Sequence, residues 1–276
     1  MTESVKDTLI RHGFHFSKKF GQNFITDNNL LDAIVEDANI TEEDTVVEVG
    51  AGAGTLTRAI AKRAKKVISY EIDTNLKGVL SDRLGDLDNV EVRFKDVMSC
   101  TLSEFEEIGE FKVVANLPYY ITTPITMFFL EKCKNAKSIT IMVQKEVAER
   151  LIAKQDTEEY GAITAVVDYY GDAKITRNVS RKMFYPVPNV DSSVLNIVKR
   201  QKYAPIDENL FLKTVKTAFL MRRKTLANNL MQGFKISRDL AEKVIQKTGF
   251  NVKVRGEVLS TEDFVKLSDN LKEELQ

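Results

Sequence analysis

A short β-branched run, Thr45-Val46-Val47-Glu48-Val49, ends directly in Gly50-Ala51-Gly52-Ala53-Gly54 and opens into the helical pattern of Leu56–Ala64. Few local structures accept three glycines in five residues at that point. A strand that turns sharply into a helix does, because the missing Cβ atoms permit the turn and let a backbone approach a ligand closely. The alternation then repeats. Apolar strands are expected at Lys66–Tyr70, Val90–Phe94, Phe111–Ala115 and Ser138–Val143, with helices at Leu30–Val35, Thr74–Leu84, Pro124–Lys132 and Lys145–Ala153. Short, mostly apolar strands separated by helices predict a doubly wound parallel α/β sheet covered on both faces. Ala162–Tyr170, Ala173–Val179 and Ser193–Val198 read as successive strands with no room for helices, an antiparallel closure of the sheet edge. After Tyr203-Ala204-Pro205 the character changes, with Leu212, Val215, Phe219, Leu226 and Leu230 in one helical stripe. The expected organisation is an N-terminal arm over 1–27, the α/β domain over 28–203 and a small all-helical domain over 204–276.

Composition narrows the class further. In 276 residues, 43% are hydrophobic and 29% charged, with only 13 Gly and 5 Pro, so a folded core is expected rather than low-complexity sequence. No apolar run approaches the roughly 18 residues of a membrane span. The first ten residues mix Glu3, Lys6 and Asp7 with single apolar side chains, unlike a signal peptide. Cys100 and Cys133 lack metal-ligand spacing and read as reduced thiols. These features predict a cytoplasmic protein without membrane partner or metal. The absence of a spare apolar surface stripe predicts a monomer. Net charge is zero, yet it is segregated. Between 209 and 237 lie Lys213, Lys216, Arg222, Arg223, Lys224 and Lys235 with no acid, and 8–26 carries Arg11, Lys18 and Lys19 likewise. An acid-free basic segment, with Arg222-Arg223-Lys224 at its centre, predicts a surface that contacts phosphates.

The ligand of the glycine turn is constrained by what surrounds it. A P-loop needs Lys-Ser/Thr after the glycines, where this chain has Thr55-Leu56, and a dinucleotide fingerprint needs Gly where Thr55 stands. Glu71 ends the second strand, 17 residues past Gly54, where a carboxylate can accept both ribose hydroxyls. Asp96 follows the third strand, within reach of an adenine amino group. Ligands of open α/β sheets sit at the carboxyl ends of the strands, and all three features fall there. That set fits S-adenosylmethionine (SAM).

The fourth strand ends in Asn116-Leu117-Pro118-Tyr119. Tetrapeptides of this kind mark methyltransferases of exocyclic base amines. An adenine N6 lone pair is delocalised into the ring and is a poor nucleophile. Acceptors at the Asn116 side chain and the Leu117 carbonyl, stiffened by Pro118, favour a more sp³-like nitrogen, and Tyr119 offers a face for an extruded base. Further motifs join this one: Lys18-Lys19-Phe20-Gly21-Gln22-Asn23-Phe24, Phe184-Tyr185-Pro186-Val187-Pro188-Asn189-Val190-Asp191-Ser192-Ser193 and Arg222-Arg223-Lys224-Thr225-Leu226. Together they resemble the KsgA (RsmA) family of bacterial 16S rRNA adenine N6,N6-dimethyltransferases over roughly residues 14–232. The resemblance implies a Rossmann-like, class I SAM-dependent methyltransferase fold. It also implies dimethylation of two adjacent adenosines in the 3′-terminal hairpin of 16S rRNA, on the small (30S) ribosomal subunit during its biogenesis. Cofactor contacts are implied at Asn23, Ile25, Gly50, Gly52, Glu71, Asp96 and Asn116. The target base is implied at Asn116, Leu117, Pro118 and Tyr119 with Phe184 as a second stacking partner. RNA contacts are expected at Lys18, Lys19, Arg222, Arg223 and Lys224.

Three other readings compete. The Erm group shares this pattern but modifies a large-subunit adenine, and the Pro186–Ser192 and Arg222–Leu226 segments favour the KsgA-like form. A non-catalytic assembly factor would not need the intact glycine turn, Glu71, Asp96 and Asn116–Tyr119. A DNA adenine methyltransferase would carry Asp-Pro-Pro-Tyr and a target-recognition domain. Phe14, Phe16, Phe20 and Phe24 read either as an anchor for the N-terminal arm or as part of a cap over the site. His12 and His15 read as packing or surface residues.

Overall fold

Val46 and Val47 are wholly buried at the centre of a seven-stranded sheet. The computed structural model describes residues 4–16 and 22–275. In chain order the elements are α1 (Val5–Arg11), β1 (Phe24–Ile25), α2 (Asn28–Asp37), β2 (Thr45–Val49), α3 (Thr55–Ala61) and β3 (Lys66–Glu71). There follow α4 (Lys77–Leu84), β4 (Val90–Phe94), α5 (Leu102–Glu106), β5 (Phe111–Asn116), α6 (Tyr119–Glu131) and β6 (Ala136–Gln144). Then come α7 (Lys145–Leu151), α8 (Ala162–Tyr170), β7 (Gly171–Val179), β8 (Phe184–Tyr185) and β9 (Ser192–Lys199). The sheet order is β4-β3-β2-β5-β6-β9-β7. Strands β2 to β6 are mutually parallel, and β9 runs antiparallel to β6. From β2 the chain builds outward to β3 and β4, then returns to the other side of β2 to lay down β5 and β6. That reversal opens a crevice at the carboxyl ends of β2 and β5, where ligands bind in open α/β sheets.

The alternation expected from the sequence is present, and its cause is visible in the packing. Leu30, Leu31, Ile34 and Val35 of α2 share one buried cluster with Val46, Leu56, Ile60 and Val67. A second cluster joins Val79, Leu80 and Leu84 of α4 to Leu9, Phe24 and Leu76. Each fully buried Val, Leu or Ile contributes roughly 1.5–3 kcal/mol, so covering both sheet faces dominates the stabilisation.

Residues 162–170 differ from expectation: they form a helix. Their β-branched composition reads as a strand, but Ile163, Val166, Val167 and Tyr170 also fall at i, i+3, i+4 and i+7. Thr164 settles the start of the helix by accepting the Gly161 N–H at 3.2 Å, and Thr164, Ala165, Val166 and Val167 are buried. Tertiary packing outweighs the propensity. In α6, the helix likewise begins at Tyr119 and carries Pro124 inside its first turns, earlier than the sequence suggests.

The C-terminal helices are α9 (Glu208–Ala218), α10 (Leu226–Phe234), α11 (Arg238–Lys247) and α12 (Thr261–Leu275). They bury Phe211, Val215, Leu230, Val244, Phe264 and Leu267 completely. The compact unit they form includes Glu149–Ala173 as well as Arg200 onward, whereas the sheet unit comprises the chain up to Ala148 and Lys174–Lys199. Helix α8 packs against α9 and α12, and the Tyr160 hydroxyl donates to the Leu259 carbonyl at 2.9 Å. The stretch 149–173, assigned by its periodicity to the α/β domain, thus clusters with the helices.

A candidate active site at the carboxyl ends of the strands

Strand register places the site. Val49 of β2 lies opposite Ala115 of β5, so Gly50 and Asn116 leave the sheet side by side. Gly50, Gly52 and Gly54 adopt φ of +84°, +55° and +75°, the left-handed region that favours glycine. A Cβ on Gly52 would stand 2.9 Å from the Phe24 ring, so the close approach is enforced by sterics as well as by φ. The Gly52 N–H donates to one Glu71 oxygen at 2.8 Å, and the Asp73 N–H donates to the other at 2.8 Å. Burial raises the Glu71 pKa, and these two backbone donors oppose that shift. A carboxylate has about four acceptor sites, so Glu71 is held rigidly with capacity left for a ligand diol. Asp96 is exposed at the rim, its carboxylate accepting the Met98 N–H at 2.9 Å.

Beneath the turn, Glu48 is fully buried in the middle of β2. One of its oxygens accepts from the Thr57 hydroxyl at 2.6 Å and from the Ser69 hydroxyl. The other, Oε1, has no hydrogen-bond partner among the described residues. Burial pushes the Glu48 pKa up to about 8. Glu48 ties α3 and β3 to the strand that launches the glycine turn.

On the opposite wall, Asn116 donates its amide to the Asn23 carbonyl at 3.2 Å. With Nδ2 so committed, Oδ1 is the acceptor it can offer a substrate. Leu117 is buried, and Pro118 precedes α6 with φ −54° and ψ 135°. The Tyr119 hydroxyl lies 2.9 Å from Ser192 Oγ, which fixes the ring.

A two-residue ribbon supplies the remaining side. Strand β1 pairs antiparallel with β8, Phe24 opposite Tyr185 and Ile25 opposite Phe184. Gln22 donates to the Asp73 carboxylate at 2.8 Å, tethering the segment before β1 to the end of β3. Phe14, Phe16 and Phe24 stack edge to face or tilted with centroids 5.5–6.2 Å apart, and Phe16 meets Tyr185 at 5.4 Å. Phe14 and Phe16 therefore anchor the arm, whereas Phe24 also lines the site. Phe184 is buried among core residues and still reaches the cavity wall. His12 is exposed and lies 3.2 Å from the Asp82 carboxylate on α4, a polar surface contact.

These walls enclose a cavity of about 460 Å³. Asn23, Ile25, Gly50, Gly52, Glu71, Asp96 and Asn116, expected at the cofactor, and Leu117, Pro118, Tyr119 and Phe184, expected at the base, all line it. Gln22, quoted within a motif but given no role, lines it too, as do Ile72, Val97 and Tyr120, which were not anticipated. Each neighbours a motif residue, which is the only signal the sequence offered. Lys18 and Lys19, with Phe20, lie outside the described residues. Arg222, Arg223 and Lys224 belong to the helical unit and are exposed on the turn between α9 and α10. Buried Asn229 holds that turn, donating to the Ala218 carbonyl at 2.6 Å and accepting the Met221 N–H at 3.1 Å.

Comparison with known proteins gives the same direction as the motifs. The chain is 44% identical to the ribosomal RNA small subunit methyltransferase A of Bacillus licheniformis, over 98% of this chain and 96% of that protein. It is 45% identical to the protein of that name from Clostridium acetobutylicum, over 97% and 98%. A dimethyladenosine transferase from Plasmodium falciparum shares the fold, with a TM-score of 0.78 at 24% identity, over 91% of this chain and 98% of that one. The 23S rRNA methyltransferase ErmE superposes with a TM-score of 0.68 at 26% identity, over 90% and 99%. The family described as ribosomal RNA adenine dimethylase matches residues 13–273, and with relatives this similar over nearly its whole length, the chain belongs to that family.

Proposed function

We propose that this chain transfers methyl groups from SAM to N6 of two adjacent adenosines in the 3′-terminal hairpin of 16S rRNA, on the small ribosomal subunit, as a late step in its biogenesis. The observation that carries the reading is the meeting of two ligand-binding sets in one cavity. Glu71, Asp96 and the glycine turn form one wall, and Asn116–Tyr119 with Phe184 form the other. The residues fit SAM: a cradle that a Cβ would fill at Gly52, a buried carboxylate for the ribose diol at Glu71, and an acceptor for the adenine amine at Asp96. Asn23 and Ile25 close over the same space.

When bound, SAM supplies a methyl group already activated on a sulfonium. The chain's task is therefore orientation and electrostatics. Asn116 Oδ1 and the Leu117 carbonyl accept the two N6 hydrogens, which draws the nitrogen lone pair out of conjugation and aims it into the cavity. Tyr119, locked by Ser192, stacks on the extruded base, with Phe184 behind it. The helical unit, with Arg222, Arg223 and Lys224, supplies phosphate contacts to the RNA.

The test is transfer of labelled methyl from SAM to small subunits lacking the 3′-hairpin methylation, with large subunits and DNA as controls. Incorporation approaching four methyls per small subunit is the expected result. Label on large-subunit RNA alone would refute the assignment.

A further inference from the structure

The rim of the cavity holds an aromatic side chain that the reaction described above leaves unused. Among the described residues, five aromatic side chains line the cavity: Phe24, Tyr70, Tyr119, Tyr120 and Phe184. Four are buried or partly buried, whereas Tyr120 is 67% exposed. Tyr119 and Tyr120 are consecutive on the first turn of α6, so their side chains project about 100° apart around the helix axis. Tyr119 is fixed by Ser192, and Tyr120 therefore stands on a different bearing, at the mouth and facing outward.

We infer that Tyr120 is a specificity-determining residue, a stacking platform for the nucleobase next to the one held in the pocket. This rests on the reading of the site as one for adjacent adenosines in RNA. Extruding one base from a loop breaks its stacking on both sides and leaves the neighbouring base with one face bare. Single-stranded RNA segments are recognised largely by aromatic side chains that replace such lost stacking. A ring at the rim, on the same helical turn as the ring inside, covers that face while the first base reacts. It favours a purine neighbour, whose larger surface stacks better, and it keeps the second adenosine at the entrance for its own turn.

The experiment compares wild type, Y120A, Y120F and Y120L in methyl transfer to small subunits lacking the 3′-hairpin methylation, with methyls counted on each adenosine. SAM affinity is measured separately by calorimetry. Y120A is expected to raise KM for small subunits roughly ten- to hundredfold, with SAM affinity and urea midpoint unchanged. Y120F should restore the wild-type KM, and Y120L should not, because it keeps apolar area without an aromatic face. A KM for Y120A within twofold of wild type would overturn the proposal. So would Y120F failing as badly as Y120A, since the hydroxyl and not the ring would then matter. Absence of transfer by the wild type would instead bring down the assignment of the substrate, on which this inference depends.

Discussion

Asn116 and Glu71 serve opposite walls of one cavity, and their loss separates base from cofactor. In the proposed reaction Asn116 supplies the acceptor for N6, so in Asn116→Ala transfer to small subunits should fall below detection while the SAM dissociation constant stays within about tenfold, roughly 1.4 kcal/mol. Near-normal turnover would show that the base is held elsewhere. Glu71→Ala removes a buried carboxylate whose charge-assisted hydrogen bonds are each worth roughly 1.5–3 kcal/mol, so calorimetry should show SAM binding weakened at least tenfold. Glu48 makes a different prediction, in stability. Its folded pKa is raised from 4.5 to about 8, so between those values the folded protein holds a proton that the unfolded chain has released. Its contribution to stability therefore falls as pH rises through that window, by about 1.4 kcal/mol per pH unit, and is level above it. Urea midpoints taken from pH 5 to pH 9 should decline less steeply for E48Q than for wild type. Parallel curves would mean that Glu48 is ionised in the fold.

Helix α6 joins the candidate site at one end to a capping cation at the other. Its N-terminus presents Tyr119 and Tyr120, and its C-terminus is closed by the Lys199 ammonium of β9, which donates to the carbonyls of Phe129, Leu130 and Cys133 at 2.8–3.2 Å. A cation satisfying several last-turn carbonyls also complements the helix dipole. Lys199→Met should lower stability by about 2–3 kcal/mol, read as a shifted urea midpoint; an unshifted midpoint would mean that water replaces the ammonium without cost. None of this cap is legible in the sequence, since Lys199 and Cys133 are remote along the chain. The glycine turn, Glu71, Asp96 and Asn116–Tyr119 were legible, because each stands at the end of a strand whose apolar run marks it. The β1–β8 ribbon was not, since two residues per strand carry no periodicity. Nor was α8, where β-branched composition masked a helical spacing that only the packed neighbours select. Tyr120 escaped because adjacency to a motif says nothing about where a side chain points, and Gln22 because membership of one says no more.

Charge, at the scale of the whole chain, is balanced to zero but unevenly distributed, and the helical unit carries the acid-free segment 209–237. Within its exposed turn the three cations are not equivalent. Arg222 donates to the Glu158 carbonyl and lies 3.7 Å from the Glu257 carboxylate, so part of its charge is already compensated inside the unit. Arg223 and Lys224 are exposed beside it. Binding that neutralises phosphates releases counterions, and each contact adds about 0.7–0.9 to the slope of log affinity against log salt. Arg223→Gln and Lys224→Gln should therefore each flatten that slope by about 0.7–0.9 for small-subunit RNA, and Arg222→Gln by less. SAM affinity should be unchanged in all three, because the described residues that line the cavity all belong to the sheet unit. Equal losses from all three would mean that Arg222 leaves its carbonyl partner on binding. Unchanged slopes throughout would move the phosphate contacts off this turn, to Lys18 and Lys19 of the N-terminal arm or to Lys213, whose ammonium sits 4.6 Å above the Phe234 ring.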